Sequence, residues 1–183
     1  MSETTDTLNK LFYHTHFILF VNWKKSAIRT FMRIIASASV FLCIMTFIMY
    51  VYKTVIKLHD TDAAGILFFS HQFEIVHDAY ESLLDKLGVG FPILIRKKNY
   101  FLPIVHAESD YKAPLFVGDR LTVEVRLANL GTTSFTFAYR LLNEQRQVVG
   151  TARTVHVTVS KKTKKKIPLP AEMRRAIEKF RRT

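Results

Sequence analysis

Cysteine, glycine and proline are scarce in this sequence of 183 residues, which contains one cysteine, six glycines and five prolines. Cys43 has no partner for an internal disulfide, which excludes a disulfide framework and a cysteine-based zinc site and favours a reducing compartment. The low glycine and proline content, with 49% hydrophobic residues, excludes collagen-like repeats and disorder as the main state. The length suits one domain with appendages and is too short for two ordinary domains.

Several motifs of catalysis and nucleotide binding are also absent. No HExxH or Cys/His ligand spacing occurs, and His71 and His77 lie on different faces of a predicted helix. The sequence contains no GxGxxG loop, no Walker A loop and no GxSxG nucleophile elbow. We therefore expect no metal site, no nucleotide cofactor bound through those loops and no serine hydrolase.

Acidic residues are rare in the C-terminal part of the chain. Residues 153–183 contain 11 basic and 2 acidic side chains, and they supply most of the formal net charge of +12. Such a region attracts nucleic acid, anionic lipid or the phosphates of a nucleotide-bearing molecule, and a solvated basic tail is the alternative. Because residues 160–183 lack the interleaved aromatics of a stacking platform, we expect no nucleic-acid partner.

Charged residues are missing from the 19 positions between Ile34 and Tyr52, which is about the length of a membrane-crossing helix. The β-branched and aromatic segment 50–58 indicates a strand instead, and a membrane helix ending at Tyr52 would consume its start. Two interpretations stay open for residues 1–48: a membrane anchor, or a dispensable extension or early start before a domain that begins at Met49. The expected location is cytoplasmic, with membrane anchoring only through this N-terminal segment.

One long amphipathic helix is predicted after Gly65, because apolar residues recur every three or four positions over 69–87. Strands with apolar and polar residues in alternation are predicted at 50–58, 100–111, 120–129, 133–142 and 148–160. The order predicts an α+β domain over residues 49–170, with a five-stranded antiparallel sheet wrapped around one helix. A second subunit is expected to cover the remaining face, and residues 171–183 are expected to form a short basic helix and tail.

The densest group of reactive side chains is the loop HDTDAAG at 59–65, between the first strand and the long helix. Asp62 would lie beside a helix N-terminus whose free N–H groups can receive a developing oxyanion. A carboxylate there suits acyl transfer or ester-type hydrolysis, as nucleophile or as general base for water. The structural alternative is that Asp60 or Asp62 caps the turn into the helix.

These residues resemble a known family. The motif DTDAAG at 60–65, the aromatic-rich helix and GDRLTVEV at 118–125 resemble the hotdog-fold acyl-CoA thioesterases of the 4-hydroxybenzoyl-CoA type. Within that family, HDAYESLL at 77–84 and KKKIPLP at 164–170 are most similar to the 1,4-dihydroxy-2-naphthoyl-CoA hydrolases. The resemblance covers about residues 49–170 and implies hydrolysis of an aryl-CoA thioester in phylloquinone or menaquinone synthesis.

The resemblance also implies roles for individual residues. Asp62, the second aspartate of DTD, is the catalytic carboxylate, Gly65 allows close approach, and the backbone N–H of Phe69 polarises the thioester carbonyl. The acyl pocket would include Phe68, Phe73 and His106, although His106 alone fits a core or interface histidine better. The basic residues nearest the expected CoA phosphates are Lys161, Lys162 and Lys164.

A homodimer or homotetramer with its site at the subunit interface is implied, and the only coenzyme is the CoA of the substrate. Two alternatives stay open. The first is a thioesterase for other acyl-CoA or acyl-carrier-protein thioesters, because pocket depth decides the acyl group. The second is a non-catalytic acyl-binding protein, which the apolar N-terminal run and the basic C-terminus would suit.

Overall fold

The computed structural model describes residues 49–182, and within this range seven strands and three α-helices form. The strands are β1 (Tyr50–Val55), β2 (Tyr100–Phe101), β3 (Ile104–Tyr111), β4 (Arg120–Leu130), β5 (Ser134–Leu142), β6 (Val148–Val157) and β7 (Val159–Ser160). The helices are α1 (His71–Lys86), α2 (Phe91–Lys97) and α3 (Ala171–Arg182), and Leu58–Asp60 forms a short 3-10 helix.

Five of the strands form one antiparallel sheet in the order β1-β4-β5-β6-β3. The alternation in β4 buries Leu121, Val123 and Val125 on the helix side, as a period of two requires. The predicted α+β architecture with a five-stranded antiparallel sheet is therefore confirmed. A second sheet, β2 with β7, pairs Tyr100 with Ser160 and was not predicted as a separate sheet.

Helix α1 packs its apolar face into the core. Its buried side chains recur at helical spacing and include Ile75, Val76, Ala79, Tyr80, Leu83 and Leu84. The helix begins at His71 and ends at Lys86, so it is shorter at both ends than the predicted 69–87. Phe69 precedes the helix and is 60% exposed, which places it outside the core stripe to which the periodicity assigned it.

Two predicted strands are interrupted. The predicted strand at 100–111 divides at Pro103, which has no N–H for a ladder hydrogen bond. The predicted strand at 148–160 divides at Thr158, whose N–H donates to Thr133 O at 2.9 Å outside the β3 and β5 ladders. Helix α2 was not predicted, because seven residues are too few to display a helical period.

The C-terminal helix α3 is part of the core. Met173 and Ile177 are fully buried and Phe180 is 8% exposed. At its start, Glu172 Oε2 accepts from Lys98 Nζ at 2.6 Å, and Glu172 Oε1 accepts from the Tyr100 hydroxyl at 3.1 Å. The predicted basic helix is therefore present, and its apolar side is buried against the domain.

Strand β3 lies at one edge of the sheet and is exposed along most of its length. Seven of its eight residues are exposed, and the eighth, Ser109, is half-buried. Its exposed apolar side chains include Ile104 and Val105, at 40% and 57%. A free edge with apolar side chains is a surface that natural proteins usually cover or pair.

The N-terminal prediction lies almost entirely outside the described residues. Of the apolar run at 34–52, residues 50–52 belong to β1 and pair with β4, so the membrane-helix interpretation is wrong for these three residues. No helix within residues 49–182 is long and apolar enough to span a membrane. The boundary at residue 48 and the role of residues 1–48 stay predictions.

Candidate active site

The loop between β1 and α1 fixes the Asp62 carboxylate through the backbone that follows it. Asp62 Oδ1 accepts hydrogen bonds from the N–H groups of Ala64 at 2.8 Å and Ile66 at 3.3 Å. The Asp62 N–H donates to Ile66 O at 2.9 Å and closes the same turn. Within residues 49–182, no group forms a hydrogen bond with Oδ2, and the side chain is exposed. One carboxylate oxygen is therefore held while the other is open to react.

Gly65 belongs to this turn because of its backbone conformation. Its φ is +74°, a value that L side chains rarely adopt. A Cβ built on Gly65 would find no atom of the protein within 4 Å. The space above this glycine is therefore open, as the predicted close approach of a substrate requires.

The segment before α1 presents backbone donors. Phe68 N–H donates to Asp60 O at 2.9 Å, whereas the N–H of Phe69 forms no hydrogen bond within the described chain. The hydroxyl of Tyr111, on β3, donates to Phe69 O at 2.7 Å and so holds the carbonyl of the same residue. Because α1 begins two residues later, its N-terminal dipole favours negative charge here.

A cavity of about 510 Å³ joins these groups, and we call it the Asp62 cavity. Its lining includes Asp62, Phe68, Phe69, Gln72, Tyr111 and Leu115. Three predicted site residues, Asp62, Phe68 and Phe69, are thus brought together. The cavity is within the volume range of small-molecule sites.

Gln72 is a site residue that sequence analysis missed. It is 2% exposed, and its Nε2 donates to Ser109 Oγ at 2.5 Å and to Asp110 O at 3.2 Å. These bonds fasten the first turn of α1 to β3. A Cβ on Gly150 would lie 2.9 Å from Gln72 Oε1 and 3.2 Å from Asp110 O, so a larger residue on the neighbouring strand would displace the Gln72 amide.

A second cavity, of about 470 Å³, lies further along α1, beside residues 73–80, and we call it the His156 cavity. Its lining consists of Phe73, Glu74, Val76, His77, Asp78, Tyr80, Ile104, Ala107, Tyr139, Thr154 and His156. The predicted acyl pocket is therefore divided, with Phe73 here and Phe68 in the Asp62 cavity. His106 lines neither the Asp62 cavity nor the His156 cavity. Its side chain is exposed, and its Nε2 lies 3.1 Å from Glu108 Oε2.

His156 is a second residue that sequence analysis missed. It is fully buried on β6, with its Nε2 2.8 Å from Thr154 Oγ1, which in turn lies 2.9 Å from the Tyr139 hydroxyl. Burial and, to a smaller degree, the charge of His77 lower the pKa of His156 to about 3. The only sequence signal was its place in the alternating pattern of a strand, which does not distinguish a core histidine from a ligand-binding one.

The three predicted lysines have different surroundings. Lys161 Nζ donates to Ile95 O at 2.7 Å and to Leu94 O at 3.1 Å, so it already binds the free carbonyls near the end of α2. Lys162 and Lys164 are exposed, and Lys164 Nζ lies 4.9 Å from the ring centroid of Phe101. No group of three or more His, Cys, Asp or Glu side chains within residues 49–182 could hold a metal ion.

Comparison with known proteins places this arrangement in a family. Residues 56–177 match the thioesterase-like superfamily. A 1,4-dihydroxy-2-naphthoyl-CoA hydrolase of Synechococcus elongatus is 38% identical over 125 residues, which cover 68% of this chain and 91% of the relative. The corresponding hydrolase of a Synechocystis species is 33% identical, over 70% of this chain and 94% of the relative.

Solved structures agree. A 1,4-dihydroxy-2-naphthoyl-CoA thioesterase from Synechocystis superposes with a TM-score of 0.67 at 33% identity, covering 70% of this chain and 95% of its own. A gentisyl-coenzyme A thioesterase superposes with a TM-score of 0.64 at 28% identity, covering 70% and 99%. The predicted hotdog fold is confirmed by these similarities, and the chain belongs to the thioesterase-like superfamily.

Proposed function

We propose that this protein hydrolyses 1,4-dihydroxy-2-naphthoyl-CoA to 1,4-dihydroxy-2-naphthoate and CoA, a step of naphthoquinone synthesis. The observation that carries the proposal is the Asp62 cavity, where a fixed carboxylate with one open oxygen shares a cavity with the start of α1. Relatives of 33 to 38% identity bear the name of this hydrolase and match nearly their whole length.

The chemistry begins with Asp62 in its carboxylate form. The open oxygen Oδ2 either attacks the thioester carbonyl, to give a mixed anhydride that water cleaves, or removes a proton from the attacking water. On both routes the C–S bond breaks, CoA leaves as a thiolate, and the acyl carbon ends as a carboxylate. The two backbone N–H donors on Oδ1 keep the carboxylate oriented throughout.

The Phe69 N–H is the donor proposed to stabilise the oxyanion. It forms no hydrogen bond within the described chain, and the Tyr111 hydroxyl fixes the Phe69 carbonyl. A preorganised backbone donor at a helix N-terminus stabilises negative charge more in the transition state than in the substrate. Gly65 leaves the space through which the thioester reaches this donor.

A second subunit is proposed to complete the site. Strand β3 is an unpaired edge of the five-stranded sheet, and its exposed Ile104 also lines the His156 cavity. A homodimer, alone or paired into a tetramer, would cover this edge beside both cavities. Light scattering of the full chain is expected to give a dimer or tetramer, and a monomer active at the same concentration would contradict this assembly.

The CoA phosphates are proposed to bind at the exposed lysines Lys162 and Lys164. Both ammonium groups are accessible to an anion, whereas that of Lys161 is engaged with Leu94 O and Ile95 O. Lys161 then has a structural part in this region, since it holds the turn that carries the other two lysines against α2.

The proposed function is tested by following CoA release from 1,4-dihydroxy-2-naphthoyl-CoA, benzoyl-CoA and palmitoyl-CoA with the full chain. The highest kcat/KM is expected for the naphthoyl thioester, and Asp62→Asn should abolish the activity. Equal or better cleavage of palmitoyl-CoA would reject the substrate. Binding of the naphthoyl thioester without cleavage by the wild-type protein would favour a non-catalytic acyl-binding protein.

A further inference from the structure

The His156 cavity contains two buried polar groups that the described chain does not satisfy. Tyr80 is 1% exposed and His156 is fully buried, and both line the cavity. The Tyr80 hydroxyl and His156 Nδ1 have no hydrogen-bond partner within residues 49–182. Because buried polar groups are nearly always paired, two unpaired ones beside the same cavity indicate a partner that enters it.

The hydrogen-bond chain behind His156 determines what its free nitrogen offers. The Tyr139 hydroxyl contacts Thr154 Oγ1, and Thr154 Oγ1 contacts His156 Nε2. If Tyr139 donates to Thr154 and Thr154 donates to Nε2, each hydroxyl proton of the chain has an acceptor. The opposite direction would leave the Tyr139 hydroxyl proton without an acceptor. The hydrogen bonds therefore favour the tautomer with the proton on His156 Nδ1. His156 Nδ1–H is therefore a hydrogen-bond donor in need of an acceptor.

Both groups keep their neutral forms near neutral pH. The low pKa of His156, about 3, comes mainly from burial and leaves the imidazole uncharged. Burial also raises the pKa of Tyr80, so its hydroxyl stays protonated. The side chains around them combine apolar residues such as Phe73 and Ile104 with the titratable Glu74, His77 and Asp78. The carboxylates of Glu74 and Asp78 in the lining repel an anionic ligand group, and an ammonium group has no acceptor for His156 Nδ1–H, whereas a neutral hydroxyl can both accept and donate.

The two groups are also held rigidly. The His156 ring stacks on Phe135 at a centroid distance of 4.9 Å and an angle of 10°. The Tyr80 ring also packs on the His156 ring, with the two centroids 4.3 Å apart and the ring planes at 35°. Fixed donors discriminate between ligands better than mobile ones, because little entropy is lost when they bind.

We propose that Tyr80 and His156 bind the ring hydroxyl of the acyl group that lies farthest from the thioester, the 4-hydroxyl of 1,4-dihydroxy-2-naphthoyl-CoA. His156 Nδ1–H donates to the hydroxyl oxygen, and the hydroxyl donates to the Tyr80 oxygen. The 1-hydroxyl is next to the thioester carbonyl and can bond to it within the substrate, so the 4-hydroxyl is the one that needs protein partners. This inference rests on the proposed function and makes the pair the specificity determinant for hydroxylated aryl groups.

The test compares 1,4-dihydroxy-2-naphthoyl-CoA with 1-hydroxy-2-naphthoyl-CoA, which lacks only the 4-hydroxyl. The wild-type enzyme is expected to prefer the dihydroxy substrate by about tenfold or more in kcat/KM. Tyr80→Phe should remove most of this preference by slowing the dihydroxy substrate, with the monohydroxy substrate changed by about twofold or less. Tyr100→Phe is the matched control, because the Tyr100 hydroxyl binds Glu172 on α3 and lines neither cavity.

A second variant tests the hydrogen bonds behind His156 without changing Tyr80 or His156. Thr154→Val keeps the shape of the side chain but removes the group that fixes the His156 proton, so it should also reduce the preference. Binding of the two free acids, 1,4-dihydroxy-2-naphthoate and 1-hydroxy-2-naphthoate, gives a readout that needs no turnover, and Tyr80→Phe should bring their affinities together. This readout separates ring recognition from any general loss of activity.

The outcomes distinguish the two proposals. If the wild-type enzyme cleaves the dihydroxy substrate and Tyr80→Phe keeps the full preference, the hydroxyl site is overturned and the proposed function stands. If Tyr80→Phe slows both substrates equally and leaves the ratio of free-acid affinities unchanged, Tyr80 has only a structural role and the inference is again overturned. If the wild-type enzyme cleaves neither thioester, the proposed function is overturned, and the inference that rests on it is overturned as well.

Discussion

The Asp62 cavity and the His156 cavity differ in how they treat polar groups. Asp62 is exposed, and neighbouring backbone donors orient one of its oxygens while leaving the other open. Tyr80 and His156 are buried and rigid, with polar atoms that lack partners within residues 49–182. A group that reacts with an incoming thioester must keep its charge and its access to water. A group that recognises a neutral substituent works better in a dry and fixed environment, since an unpaired partner there penalises the wrong substrate.

The largest effect on kcat is expected from replacing Asp62, the proposed catalytic carboxylate. Asp62→Asn should lower kcat on the order of 100-fold or more, because the amide is neither a nucleophile nor a base. Its fold should survive, since the Asn oxygen can still accept from Ala64 and Ile66. Stopped-flow or steady-state CoA release measures the loss. Asp60→Asn is the control, because Asp60 Oδ2 accepts from Lys57 N at 2.7 Å and lies outside the cavity. A comparable loss in both variants would mean that the loop's structure, and not Asp62 itself, is needed.

Because His156 is buried, we expect the free energy of unfolding to depend on pH. The pKa of His156 in the folded protein is about 3, below the ordinary value of 6.5, so the unfolded chain binds more protons between these values. The stability that comes from keeping His156 neutral is fully present above pH 6.5 and is lost as the pH falls from 6.5 toward 3. Between pH 8 and pH 5, the wild-type free energy of unfolding should decrease by about 2 kcal/mol more than that of His156→Gln. Urea unfolding at the two pH values measures the difference, and identical pH slopes would show that His156 titrates normally.

A smaller effect is expected from the turn that holds Asp62. Gly65→Ala should destabilise the protein by about 1 kcal/mol, since Ala resists the positive φ of +74° at this position. No steric clash adds to the cost, because the space beside Gly65 is open. Thermal unfolding of both proteins measures the change. A loss several times larger would mean that the turn is more tightly packed than its surroundings indicate.

The smallest effect is expected at the exposed lysines. The double variant of Lys162→Ala and Lys164→Ala should raise KM for the acyl-CoA by about threefold at low salt, and the difference should shrink at high salt. Its kcat should stay near the wild-type value. Lys53→Ala, at an exposed lysine on β1, is the control for losing one positive charge elsewhere on the surface and is compared with each single lysine variant. An unchanged KM at low salt would place the CoA phosphates elsewhere.

The parts of the structure that the sequence predicts well are those with a strong local period. The alternation in β4 and β5 and the apolar stripe of α1 each bury the expected side chains, because one face of each element must leave water. Helix α2 was missed because it is too short to show a period, and the separate β2 and β7 pair because a proline interrupts the longer strand.

The candidate site was predicted only where a motif marks it. DTDAAG identifies Asp62 and Gly65, whose local geometry depends on a few consecutive residues. Gln72, Tyr80 and His156 acquire their importance from residues distant in the sequence: Ser109 binds Gln72, and the Tyr80 and Phe135 rings pack on His156. No local pattern distinguishes such residues from ordinary core residues. The division of the expected acyl pocket into two cavities also depends on tertiary packing, which composition and spacing do not determine.

The two proposals together assign the chemistry to Asp62 and the recognition of the ring to the His156 cavity. Calorimetric titration of Asp62→Asn with intact 1,4-dihydroxy-2-naphthoyl-CoA separates these two roles, because this variant should bind the substrate without consuming it. We expect saturable binding that is clearly tighter than that of 1-hydroxy-2-naphthoyl-CoA, with no CoA released during the titration. Rapid release of CoA, or equal affinity for the two thioesters, would contradict this assignment.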